Sequence, residues 1–273
     1  MIKDTFFSFP RFASYMRKDF LESGKSNLLR IGMMFGVAAI ILVWQGFTAY
    51  ESRLWAANSS VDPIGDAPLY TFFWLFWLFG CLAASMTMEK MKRKTSRLSY
   101  LMEPVTPFEK YFARWITYTV IYMILFFIIF ILADLLRVLI LTACYPSIKT
   151  IRLADLRELF DDVNFLSRGS HWVFAIVCLY FFTQSCFTLG SSIWPKNSFV
   201  KTLVAGVVIA LGYSLVIGLA GKALLDGKTV NIGRDLEDSQ AACILSCIMI
   251  FFTLFNWVLG YFRFKEAEII ERK

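Results

Sequence analysis

The chain has 273 residues, of which 58% are hydrophobic and 17% aromatic, and its formal net charge is +7. A soluble domain of this size cannot bury so large an apolar fraction, which excludes an ordinary soluble globular protein. The positive charge does not indicate nucleic-acid binding, because the basic residues are concentrated in the connections between apolar segments.

Six apolar stretches are each long enough to cross a bilayer as an α-helix, for which about 20 residues suffice. The predicted fold is therefore an all-α integral membrane protein, a single transmembrane domain over residues 1–273. The predicted spans are residues 31–50, 69–88, 115–144, 171–190, 202–221 and 241–262.

Residues 1–30 precede the first span and carry an aromatic stripe with basic residues between its members. Phe9, Phe12, Met16 and Phe20 follow one another at spacings of three and four residues. This spacing predicts an amphipathic helix in the membrane interface, which we expect to end near Gly24.

The triplet Gly24, Lys25 and Ser26 superficially resembles the end of a phosphate-binding loop. Such a loop needs a glycine five residues before Gly24, and Asp19 occupies that position. No strand-forming sequence precedes it either. If ATP drives this protein, we expect another chain to bind it.

The distribution of Lys and Arg predicts the orientation of the spans. The N-terminal arm has 6 basic residues, the segment after span two has 7, the segment after span four has 2 and the tail has 4. The remaining 9 share the opposite side with 12 acidic residues. Because basic loops resist translocation, both termini and the loop after span two are predicted to be cytoplasmic.

The cytoplasmic segment 89–114 is predicted to contain two helices joined by an elbow. Pro104 disfavours helical geometry at the preceding residue and so ends the first helix. Thr106, Pro107 and Glu109 supply an N-cap, a proline at the first helical position and the third-position carboxylate of a capping box. A second helix therefore starts here and continues into span three. The elbow presents an apolar surface that is predicted either to dock on a soluble partner or to rest on lipid headgroups or neighbouring cytoplasmic segments.

The run from Ser99 to Trp115, SYLMEPVTPFEKYFARW, carries a family resemblance. It resembles the "YLMLPAS..EKF.AR" stretch of permease subunits in the type-two class of ABC exporters, particularly the compact bacterial forms from Bacteroides-like lineages. The six spans, the interfacial N-terminal helix and the cytoplasmic termini are similar to that family over nearly the whole chain. Glu103 stands where the family pattern has an apolar residue, and the larger outer loop of this chain lies between spans three and four.

The resemblance implies a permease in the bacterial inner membrane that exports a substrate as a dimer, with a second, identical or different, permease chain. It implies a separate ATPase subunit, which would bind ATP and magnesium, and it implies no metal or catalytic site in this chain. The expected contacts with that ATPase are Leu101, Met102, Val105, Phe108 and Glu109.

Deep polar side chains are the candidates for lining a path, although hydrogen bonding between helices is the favoured role for each of them. These residues are Gln45, Gln184, Tyr213 and Asn256. Asp134 and Arg137 are predicted to form a structural i,i+3 pair near the outer interface. Otherwise the span centres lack ionisable residues, which argues against a secondary transporter coupled to ions.

Two other function classes remain open from the sequence. A membrane scaffold or sensor without transport activity would have the same spans. An intramembrane enzyme is disfavoured, since no nucleophile, metal cluster or acid–base pair is evident. The substrate is not determined, because apolar spans suit lipids, peptides and hydrophobic drugs equally.

Overall fold

The computed structural model describes residues 6–53, 64–146, 151–155, 170–225 and 238–270. These residues form helices and short connections, and no strand is found among them. The major helices are α1 (Phe9–Arg53), α2 (Ala67–Ser85), α3 (Lys94–Leu101), α4 (Pro107–Ile116), α5 (Tyr122–Cys144), α6 (Ser170–Ile193), α7 (Ser198–Leu225) and α8 (Asp238–Ile270). A 3₁₀ helix (Glu89–Lys92) precedes α3, and one π-helical segment (Thr117–Ile121) joins α4 to α5.

Six helices are long and apolar enough to cross a membrane, which confirms the predicted all-α, multi-pass architecture. The candidate spans are Phe9–Glu51, Ala67–Ser85, Pro107–Cys144, Val173–Ile193, Ser198–Val216 and Ala242–Ala267. Each of them overlaps one predicted span.

The predicted separate interfacial helix is wrong in one respect, because the chain does not leave helical geometry near Gly24. Helix α1 runs unbroken for 45 residues from Phe9 to Arg53. A glycine inside a helix costs only about 1 kcal/mol relative to alanine, which neighbouring helical turns and tertiary contacts offset. Residues 9–30 therefore belong to the same helix as the first span.

The chain divides into two compact units. The first contains residues 1–80 and 108–165, and the second contains residues 81–107 and 166–273. In the first unit α1 packs on α5, and an aromatic cluster joins α2 to α5. The ring centroids of Phe72 and Phe130 lie 5.0 Å apart, and those of Phe76 and Phe126 lie 5.4 Å apart.

In the second unit α6 packs mainly on α8 and more lightly on α7. The α6–α7 crossing is close at Gly190, where a Cβ atom would overlap the side chain of Thr202. Asn197, in the short turn between these helices, has a φ of 54°. Asparagine is among the few residues other than glycine that adopt this left-handed conformation at modest cost, which permits the tight turn.

Candidate functional site

The elbow between α3 and α4 has the predicted helix–break–helix form. Helix α3 ends at Leu101, and the amide of Met102 donates to the carbonyl of Leu98 at 3.0 Å. Helix α4 begins at Pro107, as the predicted N-cap at Thr106 requires. The break lies around Pro104, where the sequence places it.

The five predicted ATPase contacts differ in how much of each side chain is accessible. Met102 is 82% exposed, while Leu101, Val105 and Phe108 are half-buried and Glu109 is completely buried. Leu98, one helical turn before Met102, is also largely exposed. The first three predicted contacts belong to the second unit, and Phe108 and Glu109 belong to the first.

Glu109 is engaged by the start of the chain and presents no surface to a partner. Its Oε1 accepts hydrogen bonds from the Ser8 amide at 2.7 Å and from Arg11 Nη2 at 2.8 Å. Its Oε2 accepts from Arg11 Nε at 2.7 Å, which completes a bidentate ion pair. Bidentate, charge-assisted bonds of this kind fix geometry strongly. Glu109 is therefore buried by its own chain here, and its contact with an ATPase stays a prediction.

A second ion pair joins the same two helices further along. Arg114 Nη2 lies 3.3 Å from Asp19 Oδ1, and both side chains are buried. The hydroxyl of Tyr118 accepts from Arg114 at 3.4 Å and from Arg30 at 3.2 Å. We refer to Glu109, Arg11, Arg114 and Asp19 together as the α1–α4 clamp.

Aromatic side chains cover the clamp on its N-terminal side. The ring of Phe108 lies 4.6 Å from that of Phe6, centroid to centroid, and Phe112 lies 5.7 Å from Phe12. Phe108 is thus partly covered by its own chain. Sequence reasoning missed the clamp because nearly 100 residues separate its members, although the opposite charges on the two predicted helices were a visible signal.

Helix α4 leads without a break into the third span through the π-helical segment Thr117–Ile121. One isolated π turn inside a long helix is uncommon and occurs often at functional sites. Because the clamp joins α4 to α1, α4 is linked both to the helix of the first span and, through the π-helical segment, to the third span.

The four predicted path-lining residues are divided between the two units, with Gln45 in the first and the other three in the second. Gln45, in the first unit, accepts a hydrogen bond from Thr71 at 2.9 Å, which joins α1 to α2. In the second unit Gln184 is buried, and Asn256 Nδ2 donates to Ser185 Oγ at 3.0 Å and to Cys186 Sγ at 3.4 Å. Tyr213 is 68% exposed on α7. The bonds of Gln45 and Asn256 show hydrogen bonding between helices, and a path-lining role for the four residues stays a prediction.

Asp134 and Arg137 form the predicted i,i+3 pair, at 2.6 Å. Arg137 is completely buried, and its Nη2 donates to the carbonyl of Arg152 at 2.9 Å. The second oxygen of Asp134 accepts from the Ala154 amide at 2.8 Å. The pair therefore anchors residues 151–155 to α5. The pair is also buried among protein atoms, and its position near the outer interface stays a prediction.

Other motifs carry no site in the described part of the chain. Gly24, Lys25 and Ser26 lie in the middle of α1, which is incompatible with a phosphate-binding loop. Within the ranges that the structure covers, no three His, Cys, Asp or Glu side chains are grouped so that they could hold a metal ion.

Comparison of the chain with family models, with curated proteins and with solved structures gave no significant match.

Proposed function

We propose that this chain is the membrane-spanning permease subunit of an ATP-driven exporter, which takes its energy from a separate ATPase subunit. The observation that carries the proposal is the clamped elbow. A bent segment with exposed Leu98 and Met102 leads into α4, which is fixed to α1 by two ion pairs and is continuous with α5. Such a construction converts a force applied at the elbow into movement of two membrane spans.

The charge distribution supports a cytoplasmic elbow. Segment 89–114 and the N-terminal arm together hold 13 of the 28 basic residues. By the positive-inside rule this places the elbow, and with it both termini, in the cytoplasm, where an ATPase has access. The resemblance of the run 99–115 to bacterial exporter permeases points to the inner membrane.

The helical setting of the Gly24 triplet, which cannot wrap a phosphate, supports the assignment of ATP and magnesium to a partner. We infer that a second permease chain, identical or different, completes the translocation path. In support of this, residues 199–216 of α7 contain no position buried within the chain, so this surface is available to lipid or to a second permease. The substrate class stays open.

The elbow can be tested by co-expression and co-purification with a candidate ABC ATPase subunit, such as one encoded by a neighbouring gene. We expect the Leu98→Asp, Met102→Asp double variant to lower the affinity for the ATPase at least tenfold, because it replaces the exposed apolar contacts with charge. Met102→Leu keeps an apolar side chain of similar volume and is the matched control, expected to bind as the parent chain does.

The readouts are pull-down affinity and the ATP turnover of the complex in lipid nanodiscs. Undiminished binding by the double aspartate variant contradicts docking at the elbow. If the neighbouring ATPase does not associate with the parent chain at all, the proposal fails in favour of a scaffold or sensor without transport activity.

A further inference from the structure

The second unit contains a half-open cleft at one end of its helices, with a volume of about 160 Å³. Its walls come from three separate segments: the stretch around the 3₁₀ helix and α3, the end of α6 and the end of α8. The side chains that line it are Met88, Met91, Arg97, Ser192, Ile193, Pro195, Phe264 and Ala267.

The cleft lies at the level where membrane spans end. Ile193 is the last residue of α6, and in α8 the charged residues Arg263, Lys265 and Glu266 come just after the apolar stretch 241–262. Met88 lies three residues beyond the end of α2. A cleft in this position faces the headgroup region of the adjacent leaflet rather than the hydrocarbon core.

The lining is amphiphilic. Six of the eight side chains are apolar, and Arg97 and Ser192 supply a cation and a hydroxyl. A guanidinium is suited to phosphate because its fork of N–H groups matches two phosphate oxygens. The volume is similar to that of cavities that accept one benzene-sized group, so a single headgroup phosphate with its glycerol carbons fits and a whole lipid does not.

The surroundings of the cleft are strongly basic. Segments 88–97, 192–197 and 263–267, which carry the lining residues, contain eight basic residues and two acidic ones. In each segment an exposed lysine follows directly after a lining residue: Lys92 after Met91, Lys196 after Pro195 and Lys265 after Phe264. Basic residues on all three of these segments create a field around the cleft that attracts anions.

Apolar helix surfaces adjoin the cleft and suit the remainder of a lipid. Ile193 lines the cleft and is partly exposed, and Val200 on α7 and Phe262 on α8 are exposed close to the same helix ends. A ligand with its phosphate in the cleft can therefore lay acyl chains along these helices. A soluble phosphate compound would leave this apolar surface unused.

We propose that the cleft is a binding site for an anionic phospholipid, with Arg97 contacting the phosphate and the three lysines supplying the surrounding positive potential. Basic pockets between membrane helices are a recurrent setting for such headgroups. The assignment is independent of any ATPase and of the direction of transport.

The test uses the full-length chain in nanodiscs of phosphatidylglycerol, phosphatidylcholine or a mixture, with bound lipid counted by native mass spectrometry after release. We expect phosphatidylglycerol to be retained in preference to phosphatidylcholine. We expect Arg97→Gln to lower the affinity for phosphatidylglycerol about fivefold, the effect of one basic side chain near an anionic headgroup. Ala267→Phe fills the cleft without a change of charge, and we expect it to lower the affinity for phosphatidylglycerol at least as much as Arg97→Gln does.

Lys25→Gln is the matched control, since it removes one exposed positive charge from α1 in the other unit and is expected to leave lipid retention unchanged. Inorganic phosphate is added as a soluble competitor, and we expect millimolar concentrations to leave the lipid bound. Equal retention by the parent chain, Arg97→Gln and Ala267→Phe would overturn the site. Displacement of the lipid by inorganic phosphate would overturn the assignment to a lipid.

Discussion

The two units of this protein hold their helices together by different means. In the first, ion pairs with a buried carboxylate join α1 to α4, through Glu109 with Arg11 and Asp19 with Arg114, and a third pair, Asp134 with Arg137, is buried on α5. In the second, the described contacts between α6 and α8 use neutral groups such as Asn256 and Ser185. Breaking a buried ion pair is far more costly than losing a neutral hydrogen bond between membrane helices. The first unit is therefore built to keep its geometry, and the second to rearrange at lower cost.

The largest expected effect comes from the buried pair on α5. Asp134→Ala leaves Arg137 without its carboxylate in a buried position, so we expect the free energy of unfolding to fall by about 3–5 kcal/mol. Arg263→Gln is the matched control, because it breaks an i,i+3 pair that is exposed on α8 and is expected to cost less than about 0.5 kcal/mol. Denaturant unfolding in detergent micelles measures both. Similar losses in the two variants would remove the contrast between the units.

The next largest loss in the free energy of unfolding is expected at the α1–α4 clamp. Glu109→Gln keeps the size of the side chain but removes its charge, and we expect a loss of about 1.5–3 kcal/mol with faster hydrogen exchange at the Ser8 amide. Glu22→Gln on α1 breaks the exposed pair with Lys18 and should change neither quantity appreciably. Unchanged exchange at Ser8 would show that Glu109 does not fix the start of the chain.

In the second unit, the close crossing of α6 and α7 allows a steric test. The methyl group of Gly190→Ala would overlap Thr202, and overpacking of this kind typically costs about 1–3 kcal/mol. Gly206→Ala on α7 is the control, since no atom lies within 4 Å of the added carbon and alanine favours the helix. Thr202→Ala combined with Gly190→Ala should recover part of the loss. The thermal unfolding midpoints of the parent chain, the two single variants and the double variant distinguish a tightly packed α6–α7 crossing from a loose one.

The smallest effect is expected at Asn256. Its replacement by alanine removes the bond to Ser185, and such bonds between membrane helices contribute about 0.6 kcal/mol on average. A double-mutant cycle with Ser185→Ala isolates the pairwise term by unfolding measurements. A coupling free energy as large as the loss expected for Asp134→Ala would mean that the second unit is held as rigidly as the first.

The spans and the elbow were predictable from sequence for a physical reason. Helices in lipid must satisfy their own backbone, so length and hydropathy determine them locally. Pro104 and Pro107 act on the backbone within one or two residues, and the break between α3 and α4 follows. The i,i+3 spacing of Asp134 and Arg137 likewise determines their proximity on one helix face.

The features that escaped prediction depend on contacts distant in sequence. Continuation of α1 through Gly24 is consistent with contacts such as that of Asp19 with Arg114, 95 residues away. The burial of Glu109 depends on Arg11 in the same way. The local sequence pattern assigned Glu109 to a capping box and to an exposed surface. In the structure, the bidentate ion pair with Arg11 removes Glu109 from solvent.

The π-helical segment Thr117–Ile121 has a consequence for how such a protein can evolve. One additional residue in a helix rotates everything beyond it by about 100°, so the extra residue sets the angle between the charged face of α4 and the apolar face of α5. Insertion or deletion of a single codon at this point would rotate the elbow relative to the third span. The sequences of α4 and α5 themselves would stay unchanged. At this segment, a single mutation can therefore change the orientation of α4 relative to α5.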